Sequence, residues 1–170
     1  GVQTCALPIS FASPSRDVPF YHMHAAGSAG FSTMSDTVLK MGIDLSRYPE
    51  LSLREYIYNM AQVMAAADLV ICRSGASTIS ELTALSKPSI LFPSPNVTGN
   101  HQLKNAKVLE KRGAALLFSE TECSGKALFE EVSRLLGDRE TLLSMRRAAG
   151  AVAVPDAEER MYSTLMELIR

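Results

Sequence analysis

The sequence predicts an α/β fold, a Rossmann-like parallel sheet with helices on both faces, and three observations carry that prediction. Leu69-Val70-Ile71-Cys72, Ser89 to Phe92 and Ala114 to Phe118 are short apolar runs without polar alternation, the pattern of strands buried on both faces. Segments with apolar residues at three- and four-residue spacing follow them, as in amphipathic helices. Turn-rich tracts such as Pro93 to Asn100 separate the two kinds of element. Strand and helix therefore alternate, and alternation is the mark of a parallel sheet.

Taken in order, Phe11 to Asp17 reads as loop and Val18 to Met23 as a strand, followed by the small residues Ala25, Ala26, Gly27 and Ser28. A helix is expected from Ser32, as N-cap, to Met41, with Gly42 just past its end. Leu51, Leu53, Tyr56 and Ile57 indicate a short extended segment. Asn59 then caps a helix through Ala67, whose Met60, Val63 and Met64 stripe reads as core rather than as a ligand box. A helix from about Ser77 to Ser86 stops before Lys87-Pro88. Asn100 caps a helix from His101 to Arg112, closed by Gly113. Ser124 to Leu136, Arg139 to Ala149, and a last segment opened by Pro155 and Asp156 complete the helices.

Composition narrows the class. With 170 residues, 46% apolar and 21% charged, the chain has the make-up of one globular domain. A net charge of −1 with dispersed Lys and Arg leaves no electrostatic footprint for nucleic acid. Cys5, Cys72 and Cys123 have neither metal-type nor disulfide-type spacing, which fits a reducing compartment. His22 and His24 sit two apart on one strand face, as in some metal sites, but no third ligand accompanies them. The first ten residues, GVQTCALPIS, resemble the conceptual translation of a sequencing adapter, so residues 1–10 are expected to be non-native and residues 11–170 to form the domain.

The stretch Ala66 to Glu81, AADLVICRSGASTISE, organises the rest. An apolar strand ends at Arg73, and Ser74, Gly75, Ala76 and Ser77 offer so little bulk that a ligand can approach the backbone and the first N–H groups of the next helix. That geometry suits a diphosphate. The plainer alternative is a capping box, Thr78-Ile79-Ser80-Glu81, which occupies the same N–H groups within the protein. His101, Gln102 and Asn105 lie at a helix start beyond the carboxyl end of a strand, where open α/β sheets bind ligands; solvated polar residues occur there as well.

Two segments, ADLVICRSGASTISELTALSKPSILFPSP and GNHQLKNAKVLEKRGAA, resemble the carboxy-terminal domain of the MurG-type glycosyltransferases of family 28. The likeness runs from about Tyr21 through Arg54 to Met60 and on to PDAEER near the end. It implies the carboxy-terminal half of a GT-B fold, truncated at its first strand, and UDP-N-acetylglucosamine as donor for inverting transfer to a lipid-linked muramoyl-pentapeptide in peptidoglycan synthesis. By the same resemblance, the main chain at Ile57 reads the uracil edge. Arg73 and the turn Ser74, Gly75, Ala76, Ser77 and Thr78, with Ile79 and Ser80 behind it, lie beneath the diphosphate. Glu81 accepts the ribose hydroxyls, and Gln102, with His101 and Asn105 nearby, recognises the sugar.

Ala25, Ala26 and Ser77 depart from the family pattern, and the glycine-rich turn after the first strand is missing. So is the amino-terminal domain, which carries the acceptor site, the membrane-facing patch and the candidate base. The resemblance implies no cofactor and no essential metal in this chain, no catalytic residue within it, and a peripheral place on the cytoplasmic face of the bacterial membrane. Other readings keep the fold and change the role: the donor domain of a glycolipid synthase or a UDP-sugar epimerase, or a non-catalytic nucleotide-binding module.

Overall fold

A computed structural model describes residues 20–95 and 98–169. The expectations for residues 1–10, for the loop at 11–17 and for the start of the first strand lie outside the described residues. Five short strands alternate with helices: β1 (His22–Ala25), α1 (Ser28–Lys40), β2 (Leu51–Arg54), α2 (Met60–Ala66), β3 (Val70–Cys72), α3 (Ala76–Ala84), β4 (Ser89–Leu91), α4 (His101–Lys111), β5 (Ala115–Leu117), α5 (Gly125–Gly137), α6 (Arg139–Gly150) and α7 (Ala157–Leu168). All pairing is parallel, as predicted.

Hydrogen bonding divides the described strands into two parallel sets, a smaller and a larger. β1 pairs with β2, and β3, β4 and β5 pair in that order. In the doubly wound order 3-2-1-4-5-6 these correspond to strands 3-2 and 4-5-6. No strand joins β1 to β3 among the described residues.

β4 is the centre of the larger set, and Ile90, Leu91 and Phe92 are fully buried. The period of two sends Ile90 and Phe92 to one face, where they meet Leu128, Val132 and Leu135 of α5 and Met145 of α6. Leu91 goes to the other face, with Leu82 of α3, Ala106 and Leu109 of α4, and Met64 of α2. Each large side chain buried this way contributes about 1.5–3 kcal/mol. The smaller set has a modest cluster of its own, Val38 of α1 against Leu51 of β2.

Several helix starts differ from expectation. α1 begins four residues early, at Ser28, because Gly27 at φ 73° turns the chain into the helix where a side-chain cap was expected at Ser32. α3 starts at Ala76 after Gly75, with no side-chain cap, so Thr78 and Glu81 fall inside the helix and the capping box does not form. Asn59 and Asn100 stand at the starts of α2 and α4 without capping them through their side chains; Asn100 instead adopts the left-handed region. Ser124 does cap α5, accepting from the Ala127 N–H at 3.1 Å. Asp138 caps α6 by accepting from the Thr141 N–H at 3.0 Å.

Candidate functional site

The larger set places the β3–α3 turn, the β4–α4 loop and the β5–α5 loop side by side at its carboxyl edge, since its strands are parallel and adjacent. Ser74 is fully buried in this edge. Its hydroxyl donates to the Gln102 carbonyl at 2.8 Å, and its own carbonyl accepts from Asn105 Nδ2 at 3.2 Å. Ser74 and Asn105 thus spend polar groups within the protein and fix the turn against α4. Beyond Ser74 the helix start is open among the described residues: no side chain of these caps α3, and Ala76 and Ser77 are exposed. The N–H groups of its first turn have no partner within the helix and face anions favourably. Further in, Ile79 donates its N–H to Gly75 and turns its side chain to the core, and Ser80 bonds back to the Ala76 carbonyl.

Arg73 is already engaged. Nη1 donates to the Phe92 carbonyl at 3.3 Å, and Nη2 pairs with Glu120 Oε1 at 2.5 Å. No local signal points to Glu120, which lies 47 positions away and belongs to no motif.

Gln102 is held in one orientation. Its Oε1 accepts from the Ser94 N–H at 2.9 Å, which leaves the Nε2 donors for acceptor atoms of a ligand. His101 is exposed at the first position of α4.

Glu81 is exposed and lines a cavity of about 240 Å³ with Met60, Ala61, Met64, Ala84 and Leu85. The methionine stripe assigned to the core therefore divides: Met64 is buried, but Met60 is 40% exposed, and both line the cavity. Only knowing that α2 packs beside α3 reveals this. Burial, and then the charge of Glu81, push the Cys72 thiol up to about 12, so Cys72 is an inert neutral wall rather than a nucleophile. Ile57 is buried at the approach to α2, between the exposed Tyr56 and Tyr58, whose rings meet edge to face at 5.0 Å. The structure thus gathers Ser74, Gln102 and Asn105 into one hydrogen-bonded group, with Arg73 beside Ser74 in the chain and bonded to Phe92 and Glu120. Glu81 belongs to a separate cavity on the α2 side of α3, and Gln102 is not among its lining residues.

His22 and His24 do share a face of β1, in register with Leu51 and Leu53. Burial first, then the neighbouring His24, lowers His22 to about 4, and burial lowers His24 as well. Among the described residues no three His, Cys, Asp or Glu side chains gather into a metal-binding group.

The family model described as the glycosyltransferase family 28 C-terminal domain matches residues 15–161. An Acetivibrio thermocellus protein named UDP-N-acetylglucosamine--N-acetylmuramyl-(pentapeptide) pyrophosphoryl-undecaprenol N-acetylglucosamine transferase is 42% identical over 154 residues, covering 91% of this chain and 40% of that protein. A protein of the same name from Oenococcus oeni is 40% identical over 162 residues, covering 95% of this chain and 43% of its own length. The chain thus spans about two fifths of the length of these relatives. The crystal structure of Acinetobacter baumannii MurG superposes with a TM-score of 0.78 at 23% identity, covering 96% of this chain and 47% of that one, a likeness of fold. With its parallel strands and flanking helices in the arrangement of the carboxy-terminal half of a GT-B fold, the chain belongs to the family of glycosyltransferase family 28 C-terminal domains.

Proposed function

We propose that the chain is the donor-binding part of an inverting glycosyltransferase that takes UDP-N-acetylglucosamine and serves transfer of N-acetylglucosamine to a lipid-linked muramoyl-pentapeptide. The observation that carries this reading is Glu81. Glu81 is exposed, and it lines a cavity of about 240 Å³ with the apolar Met60 and Met64, one turn and more beyond the uncapped start of α3. An ionised carboxylate only accepts hydrogen bonds, so it suits a vicinal diol such as ribose. Methionines adapt to a flat base.

In this reading the uracil sits near the Ile57 main chain, and the diphosphate lies on the first turn of α3. The sugar reaches Gln102, whose Nε2 can donate to its hydroxyl oxygens. Inversion also needs a base for the acceptor hydroxyl and stabilisation of the leaving diphosphate. The residues described here supply the second. The names of the relatives support the donor and the acceptor class. The base, the acceptor and attachment to the cytoplasmic face of the membrane are assigned to a preceding domain. None of the described helices is long and apolar enough to cross a membrane.

Calorimetric titration of the chain with UDP-N-acetylglucosamine, UDP-glucose and UDP-galactose tests the proposal. Binding that prefers the first and weakens about tenfold or more in Glu81→Ala is the expected result, since loss of charge-assisted hydrogen bonds costs about 1.5–3 kcal/mol. Affinity unchanged in Glu81→Ala would sink it. The chain alone is expected to transfer nothing to an acceptor.

A further inference from the structure

Arg73 and Glu120 are the charged pair that the donor-site reading leaves unexplained. Arg73 follows β3, Phe92 follows β4 and Glu120 follows β5. One guanidinium therefore ties together the carboxyl ends of three adjacent strands, the edge at which parallel sheets bind ligands. The two side chains retain only 23% and 25% of their exposure, so solvent screens this pair less than an open surface pair.

The residue after Arg73 is the fully buried Ser74, bonded to α4, and the uncapped start of α3 comes next. The turn is thus held from two directions, through Ser74 to α4 and through Arg73 to the β5–α5 loop. We propose that Glu120 is a positioning residue for the diphosphate turn, acting through Arg73 rather than on the ligand. The proposal rests on the donor-site reading and extends it to a residue outside the site. Its physical content is preorganisation: with Arg73 immobilised, the N–H groups of the α3 start occupy their binding positions before the ligand arrives.

Simple charge counting predicts the opposite sign. Glu120 is an anion near a site for an anion, and removing it frees a guanidinium, so neutralisation should tighten binding if Coulomb attraction alone decides. This conflict makes the test sharp.

The experiment is calorimetric titration of the chain with UDP and, separately, with uridine, which lacks phosphate. The proteins compared are the unsubstituted chain, Glu120→Gln, Glu120→Asp, Arg73→Met and the Arg73→Met/Glu120→Gln double variant, each checked for its fold by circular dichroism. Glu120→Gln is expected to weaken UDP about three- to tenfold, the scale of one partly buried charge-assisted hydrogen bond, and to leave uridine unchanged. Glu120→Asp, which keeps the carboxylate, is expected to recover most of the loss. In the Arg73→Met background Glu120→Gln is expected to have no further effect.

Tighter UDP binding in Glu120→Gln, equal losses for UDP and uridine, an unchanged UDP affinity, or persistence of the effect without Arg73 each overturns the proposal. A misfolded Glu120→Gln leaves Glu120→Asp and the Arg73 variants to decide it. Failure of the unsubstituted chain to bind UDP overturns the donor-site reading, and this inference with it, before any variant is measured.

Discussion

Ser74 and Gln102, 28 positions apart, are joined by a hydrogen bond of 2.8 Å from the Ser74 hydroxyl to the Gln102 main-chain carbonyl. Asn105 returns the contact by donating to the Ser74 carbonyl, so the turn before α3 and the first turn of α4 move as one body. Ser74→Ala keeps the volume of a fully buried position and removes this bond. The variant is expected to lose about 1 kcal/mol of stability in urea denaturation. Its preference among UDP-sugars should narrow, because one of the two hydrogen bonds that hold α4 and Gln102 against the turn is gone.

Lys87 is a second fastener. It is 4% exposed, and its ammonium donates to the carbonyls of Ala65 at 2.7 Å and Ala67 at 2.8 Å, where α2 ends. A cation there satisfies terminal carbonyls and opposes the negative end of the helix dipole. Lys87→Met fills similar space but abandons those carbonyls, and is expected to destabilise the fold by about 1–3 kcal/mol in the same denaturation assay. Because α2 carries Met60 and Met64, UDP affinity should decline as well.

The histidines of β1 make stability depend on pH. His22 is lowered to about 4 and His24 is lowered in the same direction, so the folded state prefers both neutral while the unfolded chain protonates them near 6.5. Between those values the unfolded state binds more protons. Stability is therefore full above about 6.5 and declines as pH falls toward 4. Thermal melts at pH 7 and pH 5 are expected to show a drop that is smaller in His22→Leu. A drop of the same size in both proteins counts against burial of these rings as its cause.

Ser86 adopts φ 51°, the left-handed region that costs a residue with a Cβ about 1 kcal/mol. Its hydroxyl also lies 2.7 Å from where a Cβ on Gly150 would sit. Ser86→Gly is expected to stabilise the protein by up to about 1 kcal/mol in a thermal or urea melt. Gly150→Ala should be tolerated better in that background than alone, a non-additive pair that a double-mutant cycle reads directly.

How far the sequence foretold the molecule follows from the range of the forces involved. The runs at Val70 to Cys72, Ser89 to Leu91 and Ala115 to Leu117 announced themselves because a strand buried on both faces has no polar positions to alternate. The start of α5 was readable to within one residue at Ser124, whose capping partner is only three residues away. The same local logic misled at Thr78 to Glu81, where a valid capping pattern lies inside a helix that begins at a glycine-led turn. It misled at Gly27 for a similar reason. Glu120, Lys87 and the cavity-lining face of Met60 could not be read at all, since each owes its role to a partner brought near by the fold. Ser74 and Asn105 were read as ligand contacts beside Gln102, and in the structure their side chains bond within the protein and fasten two loops together.

Arg73, Ser74, Gln102, Glu120 and Lys87 all belong to the three-stranded sheet or to the helices and loops packed on it. The groups meant to grip a nucleotide thus share one foundation, and loosening a single fastener is felt by its neighbours, like a stone slipping in an arch.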